Sequence, residues 1–196
     1  MAMRHVVALG TPRLATVSLF LLALAVPRMA SSQTPIACGQ TLSGNIAAPG
    51  QQNTYTFGAN AGEAVIITTV ATSRTLGAHA ELYGPTGSFV AGTNYPGYNN
   101  TLGNVVLPAT GTYTIIVRDN GLTSTGAYNV HLRFTTPGRC GTAITCGQTL
   151  SGTVTATTQS DSYTFSANAG EAVIITTVVT SGLLGAHAEL YGPTGS

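Results

Sequence analysis

The 196-residue chain predicts an all-β fold, an antiparallel sandwich, and three features of the sequence point to it. Apolar residues recur at every second position in several stretches, the signature of a strand with one buried face. Clusters of Gly, Pro and Asn (APGQQ, ANAG, YGPTG, NYPGYNN, PATG, DNGLTSTG) break those stretches at short intervals and supply turn chemistry. No stretch carries a 3.6-residue apolar stripe with a cap, so no helix is expected.

In chain order, strands are expected at 41–46 and 53–57, each followed by a turn cluster. Residues 63–72 (EAVIITTVAT) form a longer β-branched run, which reads as a central strand covered on both faces. Shorter candidates follow at 78–83, 88–91 and 104–107. Tyr113, Ile115 and Val117 then alternate with Thr112, Thr114 and Arg118, although Ile116 interrupts the polar side. Tyr128, Val130, Leu132 and Phe134 alternate with Ala127, Asn129, His131 and Arg133, apolar in and polar out. Eight short strands at this spacing make a sandwich.

The strongest feature is a duplication. CGQTLSG begins at Cys38 and again at Cys146, and the register then runs without a gap, with 39 identities in 51 positions between 38–88 and 146–196. An offset of 108 residues is too long for solenoid repeats of roughly 20–50 residues and suits one compact domain repeated. The expected organisation is a repeat at 33–140, a linker at 141–145 and a truncated repeat at 146–196. The second copy would hold the equivalents of the first four strands, ending at Tyr191. Half a sandwich leaves edges and an inner face uncovered, so it is expected either to continue in a longer chain or to be completed by another one.

Residues 1–32 read as a secretory signal. Arg4, His5 and Arg13 form a positive start, Leu14 to Val26 an uncharged run, and Ala30 and Ser32 the small residues before a cut at Gln33. Thirteen apolar residues fall short of the roughly 20 that span a bilayer, so no membrane span is expected in the mature chain, which would be secreted or held at the cell surface. Three cysteines in an exported chain imply one disulfide and one odd thiol. Repeat symmetry favours Cys38–Cys140, leaving Cys146 unpaired. The competing pair is Cys140–Cys146, across RCGTAITC.

Only 7% of the residues are charged and none is Lys, while 32 Thr and many Ser, Asn and Gln solvate the surface instead. Scattered arginines make no basic stripe, which excludes nucleic acid as a partner. Past the leader, Arg74, Arg118, Arg133 and Arg139 stand against six acids.

The ordered elements YTF, AGEAVIITT, AELYGPTGS, LPATGTYTIIV and GAYNVHL resemble the bacterial pre-peptidase C-terminal domain family. The matching positions are Tyr55 and Phe57, Ala61-Gly62, Leu82 to Gly87, Gly111-Thr112-Tyr113 and Gly126-Ala127-Tyr128; the second copy carries the first three elements. The resemblance implies a secreted, jelly-roll-like β-sandwich without catalysis of its own, appended to extracellular enzymes and serving secretion, attachment or substrate binding. Two departures stand out. The copies follow the leader directly, and no Asp/Glu cluster opens either of them.

Chemistry-bearing residues are sparse. Calcium needs six to eight oxygen ligands, and the first copy offers only Glu63, Glu81 and Asp119, far apart in sequence. No cofactor is therefore expected, with calcium the one metal to consider, through backbone carbonyls. No GxSxG, HExxH or spaced His/Cys cluster suggests hydrolysis or zinc, so the chain is not read as an enzyme and no catalytic residue is assigned. His79, Glu81 and Tyr83 share one strand face, and the triplet recurs as His187, Glu189 and Tyr191. Facing outward, this row and the pair His131 and Arg133 would form a contact surface for an extracellular protein or polysaccharide. The plainer alternative packs Tyr83 under the YGPTG turn and leaves His79 and Glu81 merely solvated. The leading expectation is a non-catalytic attachment, scaffolding or binding module. The alternatives are an accessory part of a secreted hydrolase, such as a peptidase, and a carbohydrate-binding module using Tyr95 and Tyr98.

Overall fold

The computed structural model of the protein describes residues 32–93 and 97–195. The expected secretory leader, except for Ser32, and Tyr95 lie outside the described residues. Among the described residues no helix is long and apolar enough to cross a membrane.

The strands are β1 (Gln33–Pro35), β2 (Thr41–Ile46), β3 (Gln52–Ala59), β4 (Ala64–Ala71), β5 (Ala78–Tyr83), β6 (Phe89–Gly92), β7 (Asn99–Val106), β8 (Gly111–Asp119), β9 (Gly126–Phe134), β10 (Thr142–Ala143) and β11 (Tyr163–Thr164). They form a five-stranded sheet, β1-β3-β8-β5-β6, and a four-stranded sheet, β2-β9-β4-β7, with β10 and β11 paired separately. Pairing is antiparallel except in β1–β3 and β10–β11. The fold class is the one the alternation predicts, an all-β sandwich.

Alternation decides which residues meet between the sheets. Tyr113, Ile115 and Val117 of β8 face Tyr128, Val130, Leu132 and Phe134 of β9 across a core that also takes Ile46, Val65, Ile67 and Leu82, all buried. Phe57 stacks on Tyr113 at 5.6 Å and meets Phe134 edge-on at 5.8 Å, joining the two sheets. The hydroxyls of Tyr55 and Tyr128 lie 2.8 Å apart, and Asn53 Nδ2 donates to Tyr128 at 2.8 Å, so the buried phenols are satisfied. Burial pushes the pKa of both phenols above the usual tyrosine value. Gly44 makes this bridge fit, because a Cβ there would stand 2.4 Å from the Tyr128 ring.

One feature of the strand order governs the rest. From β2 to β5 the chain changes sheet at every step, and so do β7, β8 and β9. As a result β2, β3, β4 and β5 never pair with one another. Their common partners are β8, between β3 and β5, and β9, between β2 and β4.

Two elements differ from the sequence expectation. β7 starts at Asn99 rather than 104 because tertiary contacts override the turn-forming Asn pair: Asn100 Nδ2 donates to the carbonyls of Ala78 and Gly97 at 2.8 Å, and Leu102 enters the core. β1 is only three residues long and ends in Pro, too short to show a period.

The second copy departs most. Four strands are expected there, and of these only Tyr163–Thr164 is paired, with Thr142–Ala143. This is the β1–β3 pairing displaced by 108 residues: Thr34↔Tyr55 and Pro35↔Thr56 become Thr142↔Tyr163 and Ala143↔Thr164. It is the one strand contact the first half of the module can make by itself.

Cys38 and Cys140 are joined by a disulfide with Cα atoms 5.6 Å apart, the pairing repeat symmetry favours, and Cys146 is free and exposed. Arg139, beside the bridge, ties the closing segment down. It pairs with Glu63 at 2.9 Å, donates to the Gly58 carbonyl at 2.7 Å and lies 4.6 Å from the Phe134 ring centre.

Candidate contact surface

On β5, Ala78, Ala80 and Leu82 point into the core, which places His79, Glu81 and Tyr83 on the outer face. The structure brings all three together around one carboxylate. Arg118, opposite His79 on β8, donates Nη2–H to Glu81 Oε1 at 2.7 Å. Tyr83 donates its hydroxyl to Oε2 at 3.0 Å, and His79 Nε2 stands 3.2 Å from Oε1. An ionised carboxylate only accepts, so the proton of this contact sits on His79 Nε2. The other ring nitrogen, Nδ1, is 2.8 Å from Thr93 Oγ1, which also accepts the Ala80 N–H at 3.2 Å. Burial alone would raise the Glu81 pKa, but hydrogen bonds from Arg118, Tyr83 and His79, with the Arg118 charge, hold it below the usual range.

The row is therefore less open than its alternation suggests. His79 is buried and Glu81 and Tyr83 are half-buried, because Arg118 and Thr93 close over them. Tyr83 packs edge-on against exposed Phe89 at 5.8 Å. Thr93, His79 and Glu81 fall in the order of a hydroxyl, an imidazole and an acid, yet the Thr93 hydroxyl is buried and its oxygen already holds a backbone amide. What the cluster does chemically is fix a carboxylate and an arginine in place.

His131 and Arg133 do lie on the outer side of β9, with Asn129, but the expectation that they are open to solvent is not met. The second copy covers them. Asn129 Nδ2 donates to the Thr157 carbonyl at 3.1 Å, and His131, 2% exposed, has Ser160 Oγ at 3.0 Å from Nε2 and Thr41 Oγ1 at 2.8 Å from Nδ1. Arg133 Nη2 donates to Glu189 Oε2 at 2.5 Å and to the Tyr191 hydroxyl at 3.0 Å, with its guanidinium 5.2 Å from the Tyr191 ring centre. Burial, then the Arg133 charge, push the His131 pKa below the ordinary histidine value, against a smaller opposing pull from Asp161. Hydrogen bonds from Arg133 and Tyr191 hold Glu189 low. Sequence reasoning identified the recurrence of the His-Glu-Tyr triplet but not its partner, since nothing in the spacing links Arg133 to Glu189.

The remaining carboxylates of the first copy are committed to structure. Glu63 holds Arg139, and Asp119 accepts the amides of Gly77, Thr123 and Ser124 at 3.0 Å each. Those amides outweigh burial and keep Asp119 below the usual range. Among the described residues no three His, Cys, Asp or Glu side chains gather as a metal cradle.

No family model and no curated protein matches the chain. Among solved structures it is similar to the pre-peptidase C-terminal domain of a collagenase from Bacillus anthracis, at 16% identity and a TM-score of 0.44, over 53% of this chain and 96% of that one. That domain is of the type the sequence motifs resemble. A second similar structure is PliG of Aeromonas hydrophila, a periplasmic inhibitor of g-type lysozyme, at 16% identity and a TM-score of 0.38, over 52% of this chain and 96% of that one.

Proposed function

We propose that the chain is an exported, non-catalytic β-sandwich module for attachment or scaffolding that binds other proteins through the outer faces of its sheets. The observation that carries this reading is the seating of Glu189 and Tyr191 on Arg133. The same triplet that closes on Arg118 within its own sheet here grips an arginine of a neighbouring copy, so the row works as a protein-contact element. The Cys38–Cys140 bridge supports the exported half of the reading, since disulfides persist in oxidising compartments. Expected partners are extracellular proteins that present an arginine beside apolar surface.

The test is retention of the full chain on immobilised extracellular proteins, collagen included, beside insoluble polysaccharides. Retention on protein that weakens several-fold in Tyr83→Ala or Glu81→Gln supports the reading. Retention only on polysaccharide would replace it with carbohydrate binding, and proteolysis by the purified chain would overturn it.

A further inference from the structure

The two copies differ at 12 of 51 aligned positions, and eight of those differences fall within ten residues, 153–162. The ANAGE and YGPTGS turns are unchanged, so the ready variation of loops does not account for the clustering. The turn itself folds alike in both copies. Gln51 and Gln159 donate Nε2–H to the carbonyls of Asn45 and Thr153 at 3.3 and 2.9 Å, and accept the amides of Ala48 and Ala156 at 3.2 and 3.3 Å. What differs is the set of outward side chains and where they sit. Gly50 and Gln52 are exposed, whereas their counterparts Thr158 and Ser160 are half-buried. Thr158 keeps the left-handed backbone of Gly50, with φ of 81° against 75°. A β-branched residue is strained there, and the Thr158 hydroxyl is also buried without a hydrogen-bond partner. Such a residue persists where its surroundings hold it in place.

We propose that the outer face of β9 around Asn129 and His131 is a docking seat for the turn 153–161 of the following repeat. That turn has diverged from 45–53 to fit the seat, so the repeats join in a fixed geometry and in one order. The seat is set by β2. Ser43, opposite Asn129, donates its hydroxyl to Oδ1 at 2.9 Å, and Thr41, opposite His131, holds Nδ1 at 2.8 Å. Asn129 Nδ2 is then left for the Thr157 carbonyl at 3.1 Å and His131 Nε2 for Ser160 Oγ at 3.0 Å. A serine is short enough to stand over the ring, where the first copy has the longer Gln52. Short connections deliver the turn. Tyr163, two residues past it, pairs with Thr142, two residues past the bridged Cys140. Gly141 permits this approach, because a Cβ there would stand 2.8 Å from the Ser162 carbonyl oxygen, and the corresponding residue of the first copy is Gln33. None of these contacts involves residues 172–191, and the joint does not rest on the attachment reading.

The experiment is labelling of the full chain with diethyl pyrocarbonate, read by mass spectrometry as the rate of modification at each histidine. His187, with its side chain 82% exposed, is the open reference, and buried His79 reports that the first copy stays folded. His131 is expected to react at least tenfold more slowly than His187. When residues 153–161 are given the sequence of 45–53, His131 should speed up at least fivefold while His79 stays slow. The exchanged sequence already forms this turn in the first copy, so the change reports the seat rather than a failed turn. Ser160→Gln alone should move His131 in the same direction. Parent labelling of His131 as fast as His187 overturns the proposal, because no turn then covers the ring. Protection of His131 that is undiminished in both altered chains overturns it as well, because the seat would then take either turn.

Discussion

The two copies of the repeat put one sequence into two conditions, and the contrast separates local from long-range structure. Turns form in both. Gln40 donates its amide to the Ala37 carbonyl at 3.1 Å, as Gln148 does to Thr145 at 3.0 Å. Gln51 and Gln159 fold back on the amides of Ala47 and Thr155 at 2.7 and 2.9 Å. The AG turn is closed by Glu63 on the Asn60 amide at 2.6 Å and by Glu171 on Asn168 at 2.7 Å. Among the described residues the second copy keeps only the two-residue strand Tyr163–Thr164. AVIITTV is a buried central strand at 64–70 and an unpaired run at 172–178. Side-chain and turn chemistry spanning a few residues is carried by the segment itself, whereas strand structure is carried by its neighbours.

The largest test of this contrast is the disulfide. Cys38 and Cys140 close a loop of sequence separation 102, so the Cys38→Ser, Cys140→Ser pair is expected to lose about 4 kcal/mol of unfolding free energy in urea titrations. Cys146→Ser is expected to stay within about 0.5 kcal/mol of the parent. A comparable loss for Cys146→Ser would place the bridge elsewhere. Next comes a matched pair in the duplicated run. Ile67→Ala, at a site with no exposure, should cost about 3 kcal/mol. Ile175→Ala, about half exposed, should fall within about 0.5 kcal/mol. Equal losses would mean that the second copy packs like the first.

A smaller effect lies in the acid response. The folded pKa of His131 is depressed, so the unfolded chain takes up this proton first, near pH 6.5. Its contribution is whole above that pH and drains as pH falls from there through the folded pKa. The lowered carboxylates Glu81 and Asp119 keep theirs until pH drops below about 4. His131→Gln should therefore flatten the loss of stability that sets in as pH falls below about 6.5 and leave the carboxylate limb intact. An unchanged profile in stability measured across pH would show that Ser160 and its neighbours do not bury the ring in solution.

What was legible in the sequence follows the same division. β2 and β5 stand where the alternation puts them, and the core face of β9 is the one read from Tyr128 to Phe134. The contents of the outer row on β5 were legible too, because alternation fixes which side chains share a face. Its exposure was not. Arg118 is 37 residues from Glu81 in sequence and Glu189 is 56 from Arg133, and only the pairing of distant strands brings these charges together. The state of the second copy was half-legible: the duplication identified its strands, but strand order, which no local pattern encodes, decides where their partners must lie.

That strand order also sets a clock on synthesis. Because β2 to β5 never pair with one another, and the strands that join them, β8 and β9, come last, a growing chain holds β2 to β5 without their central partners while some fifty residues from Tyr83 to Phe134 are added. At roughly 5–20 residues per second, that interval lasts about 3–10 s. Closure then comes late and nearly at once, as β8 and β9 enter the two sheets and bring Cys140 to Cys38. A nascent module of this kind can complete neither sheet for as long as its last two strands are withheld, and a chain that has not yet closed is the form that fits through a narrow channel.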